Sequence, residues 1–163
     1  MDTDTRQDER RADGTPSDRR PGGALLQGAA GGLVATAVMT VFRMSIARSL
    51  PPTAVFWSRF VGSGPPEEYA TEGLALHLGY GMAAGVAFAA VFPTGEPAPE
   101  VARERQGAIW GTLYGIALSA FGLRVVLGWL LGMDLDPDER WIFHVGHVIY
   151  GLTLGSWLGS RTA

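Results

Sequence analysis

Four long stretches of apolar residues constrain the fold of this chain more than any other feature. They cover residues 24–45, 74–93, 107–132 and 142–160, and residues 24–42 carry no charge at all. A helix that crosses a membrane needs about 20 predominantly apolar residues, and each stretch is close to that length. All four are rich in glycine, which membrane helices tolerate better than soluble ones. The sequence therefore predicts an all-α integral membrane protein with four spans.

A soluble four-helix bundle would need polar helix faces, and these stretches have almost none. Residues 1–22 are of a different kind, since they are charged and interrupted by proline and glycine. They are predicted to form a disordered tail before a transmembrane domain of residues 23–163. The charged region is too long for a signal peptide, and no cleavage pattern follows the first apolar stretch.

The placement of arginine predicts the orientation. All 13 basic residues are arginine. The eight on one predicted side are Arg6, Arg10, Arg11, Arg19, Arg20, Arg103, Arg105 and Arg161. The other side has Arg48, Arg59 and Arg140. Because basic residues accumulate on the cytoplasmic side, we expect a multi-pass protein of the cell membrane with both termini in the cytoplasm and the lipid bilayer as its partner.

Composition excludes several functional classes. The chain has no cysteine, which rules out disulfides, thiolate metal sites and cysteine nucleophiles. Its net charge is −3, and no arginine-rich patch is interleaved with aromatic residues, so no nucleic-acid partner is expected. No Ser-His-Asp order, Walker loop or pair of catalytic carboxylates is present. The sequence predicts neither an enzyme nor a cofactor.

The chain contains an internal repeat. QGAAGGLVATAVMTVF (27–42) aligns without gaps to QGAIWGTLYGIALSAF (106–121), and H-x-x-Y-G-x-x-x-G occurs at 77–85 and again at 147–155. The order is thus helix A, helix B, then A and B again, with the first connection nine residues longer. Since each unit holds an even number of spans, both insert the same way round. The predicted fold is a four-helix bundle of two parallel-repeat hairpins.

Small residues recur at every fourth position on all four helices. The glycines predicted to pack helices together are Gly28, Gly32, Gly81, Gly85, Gly107, Gly111, Gly115, Gly151, Gly155 and Gly159. In lipid, such stripes let helix backbones approach closely, which is the main source of helix association there. A stripe left over after the bundle forms would serve a homo-oligomer.

Polar side chains from all four helices are predicted to lie at one depth, near the outer end. They are Arg43, His77, Tyr80, Arg124, His144, His147 and Tyr150. Ionisable residues within a span are functional hypotheses by default. Three interpretations are open: hydrogen bonds between helices, with the arginines reaching the headgroups or pairing with Glu72 and Asp134; an anion or proton site; and a metal or haem held by His77 and His147, with His144 as a spare ligand. The metal, if any, is unknown.

The first connection, LPPTAVFWSRFVGSGPP, has two Pro-Pro pairs around an aromatic run. It predicts a short helix with Trp57 at the headgroup level, lying on the outer surface or covering the polar layer.

LPPT at 50–53, HxxYG at 77–81 and GHVIYGLTLG at 146–155 carry a resemblance to a known family. Over residues 24–160 the chain resembles the small, uncharacterised YagU-like inner-membrane proteins, in particular their archaeal and actinobacterial relatives with domains of unknown function. The resemblance implies a multi-pass membrane protein, and it transfers no activity or site residue.

The sequence predicts an oligomeric transporter or channel for a small solute or ion. The alternatives are a membrane scaffold or partner subunit, and a haem- or metal-binding protein.

Overall fold

Helices make up every regular element of the computed structural model, which describes residues 21–46, 52–92 and 99–161. The α-helices are α1 (Pro21–Ile46), α2 (Pro52–Phe60), α3 (Ala70–Val91), α4 (Glu100–Phe121) and α5 (Pro137–Arg161). A 3₁₀ turn, Pro66–Tyr69, precedes α3, and a π-helix, Gly122–Leu130, continues α4 directly. The predicted all-α class is confirmed for this part of the chain.

Proline marks the start of most of these helices. The helices α1, α2 and α5 begin at a proline, and α4 begins directly after one. Proline suits this position because its φ is already helical and its missing N–H would have had no partner in the helix. Acidic residues follow in the first turns of α4 and α5, where they interact favourably with the helix dipole. Both helices therefore begin before their apolar stretches, at 100 and 137 rather than at the predicted 107 and 142.

Three segments are long and apolar enough to cross a membrane, by length and composition: Gly22–Ile46, Pro66–Val91 and Glu100–Leu130. They coincide with the first three predicted spans. The fourth predicted span, 142–160, lies within α5. It is not among the three, because histidine and other polar side chains interrupt its apolar residues.

Parts of the predicted topology fall outside the described residues. Residues 1–20 of the predicted tail are among them, with five of the eight arginines assigned to the cytoplasmic side, and so is Arg48. Pro21 and Gly22, predicted to end the tail, belong to α1.

The helices α1 and α3 pack backbone against backbone. A Cβ atom added to Gly28 would lie 2.6 Å from the carbonyl oxygen of Gly85, and one added to Gly32 would lie 3.1 Å from the Cα atom of Gly85. The Thr36 side chain fills the space beside Gly81 and donates a hydrogen bond of 2.7 Å to the carbonyl oxygen of Gly32. Any larger side chain at these glycines would push the two helices apart.

The helices α4 and α5 approach each other in the same way. The glycines at this interface are Gly107, Gly111, Gly115, Gly151, Gly155 and Gly159. A Cβ atom on Gly111 would lie 2.7 Å from the Cα atom of Gly155, and one on Gly151 would lie 2.9 Å from the backbone nitrogen of Gly115. The predicted glycine stripes thus lie at two helix–helix interfaces, α1–α3 and α4–α5.

The two pairs meet where α1 packs on α5. Ala35 and Met39 of α1 join Tyr150, Leu154 and Leu158 of α5 in one buried cluster. At one end of this contact the indole nitrogen of Trp157 donates a hydrogen bond of 3.2 Å to the side-chain oxygen of Gln27. The buried cluster and this hydrogen bond join residues far apart in the chain, and together they fix the position of the α1–α3 pair relative to the α4–α5 pair.

The short helix α2 is held against α3 and against the end of the π-helix. A Cβ atom on Gly73 of α3 would lie 2.9 Å from the Cβ atom of Ala54, which is fully buried. The guanidinium of Arg59 donates a hydrogen bond of 2.7 Å to the carbonyl oxygen of Leu131. Gly132 directly follows with a φ of 63°, a left-handed conformation that favours glycine and ends the helical segment. The predicted helix in the first connection is thus present, and it is anchored at both ends.

Candidate functional site

A cavity of about 430 Å³ lies between α1, α2, α3, the π-helix and α5. This volume falls within the range of about 300–1,000 Å³ that is typical of small-molecule sites. Most of its lining is apolar, and it includes Met39, Met44, Phe56, Val126, Leu127 and Leu130. The polar side chains on its wall are Thr40, Arg43, Thr53, His77, Tyr80 and His147. An apolar space with a few convergent polar groups is the usual form of a ligand site.

Local sequence creates this space. The π-helix has wider turns than an α-helix, and such segments are frequent at functional sites. Two of the lining residues are glycines. An added Cβ on Gly122, the first residue of the π-helix, would meet only the ring of Phe143, and one on Gly146 of α5 would meet only Met39. Small residues and flexible or planar side chains therefore bound the cavity. At the α1–α3 and α4–α5 interfaces, by contrast, the helix backbones are in contact and leave no room for a cavity.

His147 lies on the wall with a defined tautomer. Its side chain is 8% exposed, and Nδ1 lies 2.8 Å from the carbonyl oxygen of Phe143 one turn earlier. A carbonyl oxygen only accepts hydrogen bonds, so Nδ1 carries the proton when the ring is neutral. The other nitrogen, Nε2, is then a hydrogen-bond acceptor.

A second space of about 10 Å³ adjoins the cavity and shares Met39, His77, Tyr80 and His147 with it. Its volume is close to that of a single water molecule. Tyr150 borders this space, and its hydroxyl donates a hydrogen bond of 2.7 Å to the carbonyl oxygen of Gly81. This bond joins α5 to α3 directly below the cavity.

The polar layer predicted from sequence is only partly brought together. Arg43, His77, Tyr80 and His147 line the cavity, and Tyr150 borders the adjoining space. Thus five of the seven predicted residues converge on one region, from three of the helices.

Two predicted members lie elsewhere. Arg124 is exposed on the π-helix and does not line the cavity. His144 is half-buried, with Nδ1 2.6 Å from the hydroxyl oxygen of Ser119, and it does not line the cavity either. Depth along a helix does not fix the direction of a side chain around it, and the π-helix changes that direction further. The expected pairing of an arginine with Asp134 is made by Arg140.

Metal ligation was one interpretation of the histidines. His77 and His147 share the cavity wall, whereas His144 does not line the cavity. In the part of the chain that the structure describes, no three histidine, aspartate or glutamate side chains are grouped closely enough to hold a metal ion.

Sequence reasoning missed Thr53 and Gly146 as cavity residues. The hydroxyl oxygen of Thr53 is buried and has no hydrogen-bond partner among the described residues. Thr53 belongs to the LPPT motif and to the longer first connection, so the excess length of that connection was the available signal. No pattern in the sequence indicated the π-helix.

No protein-family model, curated protein or solved structure matches this chain. The fold and the cavity therefore carry the functional assignment. They define an all-helical protein with three helices that are compatible with a membrane, and with a ligand-sized apolar cavity at one end.

Proposed function

We propose that this chain is a multi-pass membrane protein that binds an amphiphilic small molecule in its cavity, as the substrate site of a small-solute transporter. The observation that supports this proposal is the cavity of about 430 Å³, which has a mainly apolar lining and a few polar groups on its wall. A purely structural scaffold needs no such space, and an ion path needs a polar one. An amphiphile drawn from the bilayer satisfies both parts of the lining.

The glycine contacts support the proposed duplication of a two-helix unit. A Cβ atom on Gly28 would lie 3.1 Å from the carbonyl carbon of Gly85, and the equivalent atom on Gly107 would lie 3.0 Å from that of Gly155. These are the pairs that the two alignments equate, since Gly28 corresponds to Gly107 and Gly85 to Gly155. We infer four spans in two hairpins related by an axis along the membrane normal.

The extra nine residues of the first connection also have a place in this scheme. Helix α2 is nine residues long, and it supplies Pro52, Thr53 and Phe56 to the cavity wall. In the second hairpin, residues 131–136 alone separate the π-helix from α5. An insertion that breaks the repeat thus builds one side of the proposed binding site.

In the proposed topology the protein lies in the cytoplasmic membrane, and both of its termini face the cytoplasm. The chain lacks cysteine, so single cysteines can be introduced without background. Ser63 and Glu104 are exposed at opposite ends of the helices. We expect Ser63→Cys to react with a membrane-impermeant maleimide added to intact cells, and Glu104→Cys to react only after permeabilisation. The reverse pattern would show the opposite orientation, and equal labelling of both without permeabilisation would contradict a membrane-spanning topology.

Filling the cavity is expected to abolish binding. In Gly146→Leu the new side chain replaces part of the space, with flexible Met39 as its nearest neighbour. We expect covalent labelling of the cavity by an uncharged, photoactivatable fatty alcohol in nanodiscs to fall about tenfold, since an apolar pocket binds through the space it offers. The measurement is the yield of modified cavity peptides by mass spectrometry, relative to labelling of lipid-facing residues in the same sample.

The matched control is Gly79→Leu, the same substitution at an exposed helix position where an added Cβ meets nothing within 4 Å. It is expected to leave cavity labelling unchanged. Equal labelling of the wild type and Gly146→Leu, with the fold intact, would overturn the proposed binding function.

The homo-oligomer and the kinship with YagU-like proteins stay predictions.

A further inference from the structure

The charge on the cavity wall points to the class of ligand. Arg43 is the one charged side chain among the described residues that line the cavity. It is half-buried, near the end of α1, and Glu139 of α5 is within electrostatic reach. In a low-dielectric site, a cation acts on a nearby anion far more strongly than it does in water. A single arginine in a mainly apolar wall therefore favours a negative group on the ligand.

A hydrogen-bond donor on the same wall fits such a group. Thr53 also lines the cavity, and its hydroxyl oxygen is buried away from the space, with no hydrogen-bond partner among the described residues. His77 lines the same cavity, and its neutral ring offers one N–H. A carboxylate or phosphate accepts several such bonds at once, and charge-assisted bonds are about twice as strong as neutral ones.

The remaining lining suits a single hydrocarbon chain. Met39 and Met44 are unbranched and flexible, and they adapt to a chain of variable shape. Phe56, Leu127 and Leu130 complete an apolar wall. A volume of about 430 Å³ is that of a small-molecule site.

We propose that the cavity binds a single-chain amphiphile whose anionic head is held by Arg43 and His77, with its tail along the apolar wall. This inference rests on the proposed binding function and specifies its ligand. It also assigns different roles to Arg43 and Arg124, which the sequence predicts to lie in one polar layer, since Arg124 is exposed outside the cavity. Of these two arginines, only Arg43 is expected to contribute to binding.

The test compares photoactivatable probes of one chain length in nanodiscs: a fatty acid, its phosphate-headed analogue and the corresponding fatty alcohol. For wild-type protein, we expect at least one anionic probe to label the cavity about tenfold more strongly than the alcohol, relative to lipid-facing residues. In Arg43→Gln this preference is expected to disappear while alcohol labelling stays, which also shows that the variant is folded. Arg43→Lys is expected to restore part of the preference, and Arg124→Gln, the matched control, to retain all of it.

The outcomes separate this inference from the proposed function. Preference for the carboxylate or for the phosphate probe supports the inference and identifies the source of the negative charge. Equal cavity labelling by all three probes, unchanged in Arg43→Gln, overturns the anionic ligand and leaves the binding function standing. Absence of cavity labelling by every probe overturns both.

Discussion

Replacing Gly151 with leucine is expected to destabilise the protein by about 3 kcal/mol, because overpacking a close interface forces backbone shifts. An added Cβ at this position would lie 2.9 Å from the carbonyl carbon of Gly111 and 2.9 Å from the backbone nitrogen of Gly115. Both neighbours are backbone atoms, which cannot rotate away as a side chain can. The helices α4 and α5 would have to separate along their length. The measurement is thermal unfolding of the purified protein in detergent, followed by helical circular dichroism.

Gly79→Leu provides the matched comparison for this effect. Gly79 is an exposed position within α3, and nothing lies within 4 Å of an added Cβ. Leucine also has a better intrinsic helix propensity than glycine, by about 0.5–1 kcal/mol. Gly79→Leu is therefore expected to unfold at or above the temperature of the wild type. If Gly151→Leu unfolds together with Gly79→Leu, then α4 and α5 do not pack through their glycines. Gly151→Ala provides a milder step should the leucine variant fail to fold.

Leu154→Ala is expected to lower the free energy of unfolding by about 2 kcal/mol or more, since truncating a buried leucine leaves a cavity. Leu154 is 0% exposed and lies in the cluster where α1 meets α5, beside Ala35 and Tyr150. Lipid tails are as apolar as leucine, so a membrane protein loses packing contacts here rather than hydrophobic transfer energy. Unfolding in detergent with a denaturant series would measure the loss.

Leu152→Ala is the control for this change. Leu152 lies two residues earlier on the same helix and is 46% exposed, on the side that faces away from the cluster. Its truncation removes few protein contacts, and an effect within about 0.5 kcal/mol is expected for such a surface position. Equal losses for the two variants would contradict the arrangement of α1 against α5.

The two kinds of packing have different consequences for function. At the glycine interfaces the helices α1–α3 and α4–α5 are in backbone contact, with no space for a ligand. At the other end, the π-helix and α2 hold the helices apart around a cavity of about 430 Å³. The glycines of the two helix pairs do not line the cavity, so the proposed ligand site is separate from the contacts that hold each pair together.

Hydrophobic length and glycine spacing predicted much of the fold. The three segments compatible with a membrane and the position of α5 follow from apolar stretches, because helix formation within a bilayer depends mainly on the chain's own composition. Residues spaced four apart lie on one side of a helix. This spacing therefore predicted contact surfaces on the stripe through Gly28 and Gly32 and on the stripe through Gly111 and Gly115.

The site was less accessible to sequence reasoning. His77 and His147 lie on the cavity wall as their place before the glycines suggested, but Arg124 does not join Arg43 there. A periodic pattern assumes 3.6 residues per turn, and the π-helix departs from it at this point. Thr53 was not predicted to line the cavity, because nothing in the sequence fixes how a connecting helix folds back.

The sequence by itself determined the helical class, the lengths of the apolar segments and the faces on which glycine lies, since these depend on local composition and spacing. Only the tertiary structure decided which faces meet, that α1 packs on α5, and that α2 and the π-helix border a cavity beside Arg43. Those features depend on contacts between residues far apart in the chain, such as Arg59 with Leu131 and Tyr150 with Gly81. Such contacts form only once several helices are packed together, and no local pattern encodes them.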